Sequence, residues 1–580
     1  MRVCELMAEL MKTERRVTNT GLVGSSRATT ETAAFAAPRP LARRRASLLW
    51  RRLLHPLTGI CAVQAGLSLT LIWSNTAFID EAEYLWGGHL EISHWLHGTA
   101  LPPTLARTFS GSPIIYPPLG ALADSLGGLA GARILSLICM LAATGFLYLV
   151  ARRLLGSTAA VISCAVWAIS EPAIRLGAFA TYDALSVLMM AISVWLAVQA
   201  GFRRRRGEFV AAAAASLALA NATAYSTIVI DPVVIAVVFA AWLSTIGARQ
   251  ARFCAAWLCG AGAMFFLLVM SMSRSWSGFI FTIVLRGGSG GFIDGSSTAS
   301  TILASVWSYS GPCVVLAAIG TVIALSAESG YRRTLLVLAG SAIVVIPAAQ
   351  LYDSTDVSLD KHLAYGIWFA AIAAGYGCNK LLQSLNIRRL TPAVSCCTLA
   401  LAYLAADSWK AAWYKQHSWS NSSSFVTAIE QAATRTSGLI YTSSENYVAM
   451  YYASQGRNWT RWNRTDLSLD PRGVPTGRLS AYYSKILSKG NYGVIALLYT
   501  TTIKRLPTGL LLSTSPNVAP QQMLDVIASD TGSANSSVRG LPALTLCLER
   551  DPAYRLAVGG PSSSITIRGE FAIWERTSET

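Results

Sequence analysis

Two adjacent acidic residues follow the first strongly apolar segment of the chain, and they have the chemistry of a general base. The apolar segment covers residues 57–73, and the run Asp80-Glu81-Ala82-Glu83 comes shortly after it. A carboxylate within hydrogen-bond reach of a hydroxyl group can take the proton of that hydroxyl. Asp80 and Glu81 are therefore candidate catalytic residues.

Charged residues also stand at the start of two later apolar segments. Asp183 begins the segment 183–200 and is a third candidate catalytic carboxylate, while Lys361 and His362 begin the segment 362–380. A lysine or a protonated histidine stabilises a departing phosphate by several kcal/mol where water is excluded. Carboxylates and cations at the lipid boundary together match the needs of a transferase that uses a lipid-linked sugar phosphate.

Other residues could contact the lipid phosphate or the donor. The candidates are Arg133 near the start of the segment 130–150, Arg175 and Tyr116. The sequence does not rank Arg175 against other cations predicted on the outer face, which are Arg107, Arg274 and Arg286. Tyr116 begins the run Tyr116-Pro117-Pro118-Leu119, which predicts a rigid extended turn directed back toward the membrane.

Each of these sites also has an ordinary structural interpretation. An Asp-Glu pair in a polar loop is usually solvated surface. Asp183 could complement the dipole at the start of its helix, a role compatible with function. Lys361 and His362 could lie at the membrane interface as snorkelling side chains. Arg133 could mark only the boundary of a span.

The composition indicates a membrane protein. The chain has 580 residues, of which 53% are hydrophobic and 13% are charged, with a mean hydropathy of +0.44. A soluble globular protein carries roughly 25% charged residues. The net charge is +17, but its arginines form short blocks between apolar segments, which is the positive-inside pattern of membrane proteins. This pattern argues against nucleic-acid binding.

The apolar segments predict about eleven transmembrane helices, with boundaries uncertain by about two to four residues. They lie at 57–73, 130–150, 157–174, 183–200, 209–224, 227–246, 253–273, 303–326, 334–350, 362–380 and 392–407. With the N-terminus in the cytoplasm, every basic block falls on the cytoplasmic side. The candidate site residues and the C-terminal segment then fall outside the cytoplasm.

The predicted domains follow from this order of segments. Residues 1–55 form a disordered basic cytoplasmic tail, 56–407 form the transmembrane module, and 408–580 form an extracytoplasmic α/β domain. The long first outer loop, 75–129, should contain a helix along the membrane surface at 81–96.

Alternating patterns in the C-terminal domain predict its strands and helices. The candidate strands are 438–442, 493–499, 543–548 and 571–574, and the helices are near 425–434, 478–488 and 520–529. Only Cys547 of the eleven cysteines lies there, so the domain has no internal disulfide framework. This cysteine usage and the Arg- and Ala-rich composition favour a bacterial plasma membrane.

The order of four motifs resembles the GT-C membrane glycosyltransferases, in particular the branch of protein O-mannosyltransferases and lipid A aminoarabinose transferases. These motifs are Asp80-Glu81 after the first span, Tyr116-Pro117-Pro118-Leu119, Gly131-Ala132-Arg133 and Thr181-Tyr182-Asp183-Ala184-Leu185. The chain departs from the mannosyltransferases because it lacks a large lumenal insertion between its middle helices, which leaves the acceptor class open. It also lacks the Trp-Trp-Asp motif of oligosaccharyltransferases.

The resemblance implies roles for several residues. Asp80 matches the first-loop aspartate, the expected base or acceptor-positioning group, and Glu81 matches its acidic neighbour. Asp183 matches an acidic residue that faces the same cavity, and Arg133 stands where a basic residue near the lipid phosphate is expected. Lys361 and His362 are assigned to the phosphate from their chemistry.

The sequence thus predicts an inverting transferase that takes a mannose-like hexose or a pentose from a polyprenyl-phosphate donor to an extracytoplasmic acceptor. The acceptor could be a protein, a lipid or a glycan. No cofactor is expected, and a divalent cation is the alternative. No glycine loop or cytoplasmic Asp-x-Asp of soluble nucleotide-sugar enzymes is present. The competing interpretations are a membrane transporter and a non-catalytic protein of cell-envelope assembly.

Overall fold

The computed structural model of the protein describes residues 56–103, 105–286, 297–384, 387–443, 446–454, 459–462, 475–502, 536–561 and 567–577. The predicted tail at 1–55 and the predicted helix at 520–529 lie outside these residues.

Helices build the first two thirds of the described chain. In order they are α1 Pro56–Ile72, α2 Ile79–His97, α3 Leu105–Thr108, α4 Tyr116–Leu155, α5 Ser157–Ala168, α6 Glu171–Leu176, α7 Tyr182–Ala200, α8 Arg206–Thr223, α9 Asp231–Thr245, α10 Ala248–Met272, α11 Trp276–Ile280, α12 Ala299–Ala327, α13 Gly330–Ser341, α14 Val345–Asp353, α15 Leu359–Ser384 and α16 Ile387–Gln416. Short 3-10 or π turns at Tyr225–Ile230, Phe281–Arg286 and Ala342–Val344 join some of them.

Each predicted span coincides with helix, and the chain is a multi-pass helical membrane protein. Within the described residues, six helical segments are long and apolar enough to cross a bilayer, and α1 and α5 are shorter apolar helices. The predicted number of eleven transmembrane helices agrees with where helices lie in the chain, but the length and hydropathy of the helices support only part of it. Exposed apolar side chains on α10 and α12, such as Met272, Trp307 and Val322, are typical of surfaces that face lipid.

The first outer loop is largely helical. The predicted helix at 81–96 is present as α2, which ends at Gly98 with a left-handed φ of +68°. The Tyr-Pro-Pro run does not form the predicted extended turn, because Pro117 and Pro118 occupy the first positions of α4. Proline suits a helix start, where its missing N–H has no helical acceptor. Two glycines then break α4, and Gly128 has a φ of +62°.

The outer end of α4 packs closely on α2 at a glycine. A β-carbon added at Gly88 would lie 1.9 Å from the carbonyl oxygen of Pro117 and 2.9 Å from the β-carbon of Ala121. Only glycine permits this distance between the two backbones. The close contact fixes the position of α2 in the outer loop.

The C-terminal region consists of the described residues after α16, and it contains a four-stranded mixed sheet. The strands are β1 Leu439–Thr442, β2 Tyr492–Thr502, β3 Tyr554–Pro561 and β4 Ile567–Arg576, in the spatial order β1-β2-β4-β3. Strands β1 and β2 are parallel, and the other two pairs are antiparallel. The helices are α17 Ser423–Arg435, α18 Asn446–Ser454, α19 Leu479–Leu487 and α20 Ser536–Arg550. Three predicted strands and two predicted helices are thus confirmed.

The predicted strand at 543–548 is wrong, because these residues belong to α20. Leu544, Cys547 and Leu548 are buried together in one core with Leu479 and Tyr483 of α19. Their three- and four-residue spacing is helical, although the apolar run has the length of a strand. Strand β3 was not predicted, since its pattern is mostly exposed.

One hydrophobic core joins the first outer loop to the C-terminal region. It contains Leu85, Trp86 and Leu90 of α2 together with Val448 of α18 and Phe571 of β4. The predicted boundary at 407–408 falls within α16, which continues to Gln416. The C-terminal region therefore packs directly on the helix that carries Asp80.

Candidate functional site

Three helix N-termini meet at the centre of the candidate site. Asp80 lies in the first turn of α2, Asp183 in the first turn of α7, and Lys361 in the first turn of α15. The positive end of a helix dipole attracts negative charge, so the N-termini of α2 and α7 are favourable positions for a carboxylate group. The structure thus brings together residues that are far apart in sequence.

Lys361 links the two aspartates. Its Nζ donates a hydrogen bond of 2.6 Å to Oδ2 of Asp80 and lies 4.0 Å from Oδ2 of Asp183. The lysine side chain is 5% exposed and that of Asp183 is fully buried, whereas Asp80 is 26% exposed. Asp80 is therefore the carboxylate that a molecule from outside can reach.

Asp183 has further polar neighbours. His362 Nε2 lies 3.8 Å from Oδ1 of Asp183, and the hydroxyl of Tyr365 lies 3.5 Å from the same oxygen. Oδ2 of Asp183 accepts no hydrogen bond from the described residues. A buried carboxylate oxygen in this state loses hydrogen-bond energy, and a ligand hydroxyl near Lys361 could supply the missing donor.

Buried aromatic side chains pack beside these groups. The rings of Tyr84 and Tyr182 are 4.6 Å apart, and Phe179 lies 5.9 Å from Nζ of Lys361. All three rings are at most 5% exposed, so they give the charged groups an apolar wall. They are not among the candidates predicted from the sequence, although Tyr182 belongs to the motif that contains Asp183.

Glu81 does not face the same space as Asp80. Its carboxylate forms a two-point ion pair with Arg133, at 2.8 Å from Nε and 2.7 Å from Nη2. The carboxylate also accepts backbone N–H groups from Phe78 at 3.0 Å and Ala180 at 2.8 Å. All lone-pair directions of Glu81 are thus used within the protein.

Arg133 is likewise fully engaged. Its guanidinium donates to the carbonyl oxygens of Ile72, Asn75 and Thr76 at 2.6, 2.9 and 3.2 Å, in addition to Glu81. The side chain is 1% exposed. This ion pair fastens the connection between α1 and α2 and so fixes the helix that carries Asp80.

Arg175 forms a second ion pair outside the central group. It contacts the carboxylate of Asp360, and its guanidinium lies 4.9 Å from the ring of Phe179. Nζ of Lys415 lies 4.0 Å from the same carboxylate. Asp360 was not selected from the sequence, although it directly precedes Lys361.

Tyr116 lies in the packed interior of the outer loop. It is 1% exposed, and its ring meets the ring of Tyr84 edge-on at 6.5 Å. The structure therefore connects Tyr116 to the site through Tyr84.

A groove between α12 and α16 leads toward Asp360. Its volume is about 810 Å³, and its lining includes Trp307, Tyr309, Lys410 and Lys415. Trp307 is 62% exposed, and Nζ of Lys415 lies 5.4 Å from the ring of Tyr309. The groove thus combines apolar side chains with the charged groups of Asp407, Lys410 and Lys415, of which Lys415 is the one close to Asp360.

No group of three or more His, Cys, Asp or Glu side chains suited to a metal ion occurs among the described residues. The ammonium group of Lys361 lies between the carboxylates of Asp80 and Asp183. It occupies the position to which both carboxylates attract positive charge.

One family model matches part of the chain. A family model described as dolichyl-phosphate-mannose-protein mannosyltransferase matches residues 121–276. This segment includes Arg133, Arg175 and Asp183, but not Asp80 or Lys361. No curated protein matches the chain.

Solved structures resemble a larger part of the chain. The Archaeoglobus fulgidus oligosaccharyltransferase in its apo form has a TM-score of 0.53 at 11% identity, covering 77% of this chain and 70% of that chain. ArnT from Cupriavidus metallidurans in its apo state has a TM-score of 0.52 at 13% identity, covering 91% and 98%. AglB of A. fulgidus, solved with an inhibitory peptide and a dolichol-phosphate, gives 0.51 at 12% identity, covering 77% and 69%.

At these identities the similarity defines the fold. The protein is a multi-pass helical membrane protein whose fold is similar to that of the A. fulgidus oligosaccharyltransferase and of C. metallidurans ArnT.

Proposed function

We propose that the protein is an integral membrane glycosyltransferase that moves a mannose-like hexose or a pentose from a polyprenyl-phosphate donor to an extracytoplasmic acceptor. The observation that carries this proposal is the placement of Lys361 between the carboxylates of Asp80 and Asp183. The description of the matching family model and the dolichol-phosphate bound to AglB support the class of donor.

The proposed step is a single displacement with inversion at the anomeric carbon. Asp80 takes the proton of an acceptor hydroxyl, and the hydroxyl oxygen forms a bond to C1 of the sugar. The bond from C1 to the phosphate oxygen breaks, and polyprenyl phosphate leaves with the electron pair. General-base assistance of this kind contributes typically 10²–10⁴-fold in rate.

Lys361 has two partners in this scheme. Its ammonium group donates to the carboxylate of Asp80 at 2.6 Å. A donor phosphate at the same position competes for the ammonium group, so Asp80 is released toward the acceptor as the donor binds. His362 in its protonated form adds positive charge at the leaving group.

The groove between α12 and α16 suits the lipid portion of the donor. Its aromatic residues offer apolar surface to an isoprenoid chain, and Lys410 and Lys415 offer positive charge near the phosphate. Arg175 and Asp360 stand between this groove and Lys361. In this scheme Arg175 acts on the phosphate through electrostatic attraction, while its guanidinium stays paired.

Three sequence candidates receive supporting roles. Glu81 and Arg133 form a saturated ion pair, and Tyr116 packs behind Tyr84. We assign all three to the positioning of α2 and the outer loop. The proposed step requires no cofactor, since Lys361 and His362 supply the positive charge. A chelator such as EDTA should leave the turnover unchanged.

The proposed orientation follows from the charge pattern. Basic blocks follow the spans that begin near the site. Arg152–Arg153 lie at the C-terminal end of α4, and Arg203–Arg206 follow the C-terminal end of α7, whose first turn contains Asp183. The positive-inside rule places these blocks in the cytoplasm. The site and the C-terminal region then lie outside the cytoplasm, in a bacterial plasma membrane.

The experiment measures transfer of radiolabelled sugar from polyprenyl-phosphate mannose by the purified protein in lipid nanodiscs. The wild type is compared with Asp80→Asn and with Glu91→Gln, which neutralises another carboxylate of α2. We expect turnover by the wild type and by Glu91→Gln, and a loss of about 10²–10⁴-fold in Asp80→Asn.

Equal turnover by all three proteins would keep the enzyme class but remove Asp80 from the role of base. Absence of turnover with a panel of lipid-linked hexoses and pentoses, tested with protein, lipid and glycan acceptors, would contradict the proposed function. Transport of the sugar across sealed vesicles without transfer would favour the transporter.

A further inference from the structure

The segment 75–78, which precedes α2, is held by the last residue of α16 and by residues of the C-terminal region. Nδ2 of Asn75 donates to the carbonyl oxygens of Gln416 and Trp419 at 3.0 and 3.1 Å. The backbone N–H of Ala77 donates to the hydroxyl of Tyr452 at 2.9 Å. Each contact joins residues that are more than 300 positions apart in sequence.

The connection between α16 and α17 adds two contacts at Thr76. Nε1 of Trp419 donates to the carbonyl oxygen of Thr76 at 3.1 Å, and the backbone N–H of Ser422 donates to its hydroxyl at 3.1 Å. The ring of Trp419 also packs against that of Phe78, with centroids 5.0 Å apart. Four consecutive residues before α2 are thus contacted from beyond residue 415.

Helix α18 holds α2 at a second point. The hydroxyl of Tyr451 donates to Oδ1 of Asp124 at 2.5 Å, and Oδ2 of Asp124 lies 2.7 Å from Nε2 of His89 on α2. The rings of Trp86 and Tyr447 pack at 5.9 Å. The adjacent residues Tyr451 and Tyr452 of α18 therefore restrain α2 at His89 and the segment before it at Ala77.

We infer that the C-terminal region positions Asp80 for the reaction, and that Tyr452 and Trp419 are the positioning residues. The inference rests on the proposed role of Asp80 as the base. Neither residue touches Asp80 directly in the described contacts, and both act through the backbone of residues 75–78. The C-terminal region is then a required part of the catalytic site, beyond any contribution to acceptor binding.

Burial explains why the hydroxyl of Tyr452 matters. Ala77 is fully buried, so the variant Tyr452→Phe leaves a backbone N–H without its partner and away from water. The chain before α2 must then shift to recover a hydrogen bond, and Asp80 moves with it. A displacement of about 1 Å at a reacting group can cost about 10²-fold in rate.

The matched control is Tyr554→Phe. The hydroxyl of Tyr554 donates to the carbonyl oxygen of Tyr492 at 2.9 Å, a bond of the same length in the same region. Tyr554 belongs to the core formed with α19 and α20, which has no member from α2. This variant removes a comparable hydrogen bond and leaves the segment before Asp80 unchanged.

The test uses the full chain in lipid nanodiscs and has two measurements. Hydrogen–deuterium exchange should rise in peptides that cover residues 75–84 of Tyr452→Phe, and stay at the wild-type level in Tyr554→Phe. With the sugar donor, kcat of Tyr452→Phe should fall about tenfold or more with KM for the donor unchanged, and kcat of Tyr554→Phe should stay within about twofold.

A second variant protects against a folding failure of the first. Trp419→Phe keeps an aromatic ring against Phe78 and removes the N–H donor to Thr76 together with part of the buried indole surface, so it should also raise exchange at 75–84 and lower kcat. Unchanged exchange at 75–84 in both variants would overturn the inference. So would equal loss of kcat in Tyr452→Phe and Tyr554→Phe. Increased exchange in a protein that turns over no sugar donor would count against the proposed function alone.

Discussion

At the scale of single residues, neighbouring acids in the sequence have different surroundings. Asp80 is partly exposed and shares Lys361 with Asp183, whereas Glu81 is buried and paired with Arg133. Adjacent residues near a helix start point about 100° apart around the axis. This rotation leaves the Asp80 carboxylate partly exposed and places the Glu81 carboxylate in a buried ion pair that stabilises the fold.

The Glu81–Arg133 pair leads to a prediction about stability. Arg133→Met leaves the Glu81 carboxylate buried without its counter-charge, which should lower the free energy of unfolding by about 3–5 kcal/mol. The thermal midpoint in detergent, followed by tryptophan fluorescence, should fall clearly. The double variant Glu81→Gln/Arg133→Met should recover part of the loss, because no unpaired charge remains.

The control for this prediction is Arg153→Met in the last turn of α4. Arg153 is exposed and stacks on Phe202 at 3.8 Å, an interaction worth about 0.5–1 kcal/mol. Equal midpoints for Arg133→Met and Arg153→Met would show that the buried pair does not stabilise the outer loop.

At the scale of elements, the position of Asp80 depends on how α2 packs against α4. The contact at Gly88 allows the two helices to approach until the missing β-carbon would overlap a carbonyl oxygen of Pro117. Strands and helices of the C-terminal region then cover the other side of α2. The position of Asp80 is therefore set by helix packing on two sides of α2.

Gly88→Ala should separate α2 from α4. Overpacking of this kind costs about 1–3 kcal/mol, and turnover should decrease because Asp80 moves with α2. The comparison is Gly59→Ala in α1, where an added β-carbon meets nothing within 4 Å. Alanine there should keep activity and stabilise the helix by up to about 1 kcal/mol. Similar turnover of both variants would contradict this account.

The groove between α12 and α16 gives a prediction about donor affinity. Lys415→Gln should raise KM for the polyprenyl-phosphate donor about tenfold, the value of one charge-assisted contact, with a smaller change in kcat. Lys380→Gln is the control, since Lys380 lies 3.5 Å from Glu328, away from the groove. An unchanged KM in Lys415→Gln would place the lipid elsewhere.

At the scale of the whole molecule, the membrane helices and the C-terminal region form one folded unit from residue 55 onward. The shared core includes large apolar side chains from both parts, such as Trp86 and Phe571. A domain boundary based on composition does not describe this arrangement, since α16 continues past the change in composition.

A chain that ends at residue 422 should therefore be unstable. The cut exposes apolar faces of α2 that α18 and β4 normally cover, and exposed apolar surface of this kind promotes aggregation. Size-exclusion chromatography in detergent should show aggregated protein with a lowered thermal midpoint. A monodisperse protein with an unchanged midpoint would show that the two parts fold independently.

The sequence by itself determined the class of fold, the positions of the membrane helices and the types of residue that lie together at the site. Hydropathy depends on composition over about 20 residues, and a motif such as Asp80-Glu81 can be read locally. The sequence did not decide that Asp80 faces Lys361 while Glu81 faces Arg133.

Only the tertiary structure decided the partners of each charged group. The ion pairs Asp80–Lys361 and Glu81–Arg133 join residues separated by 281 and 52 positions, and no local pattern encodes such a distance. The helical state of 543–548 was decided in the same way, because burial against α19 selects the face that packs. Long-range packing chooses among conformations and partners that the local sequence leaves nearly equal in energy.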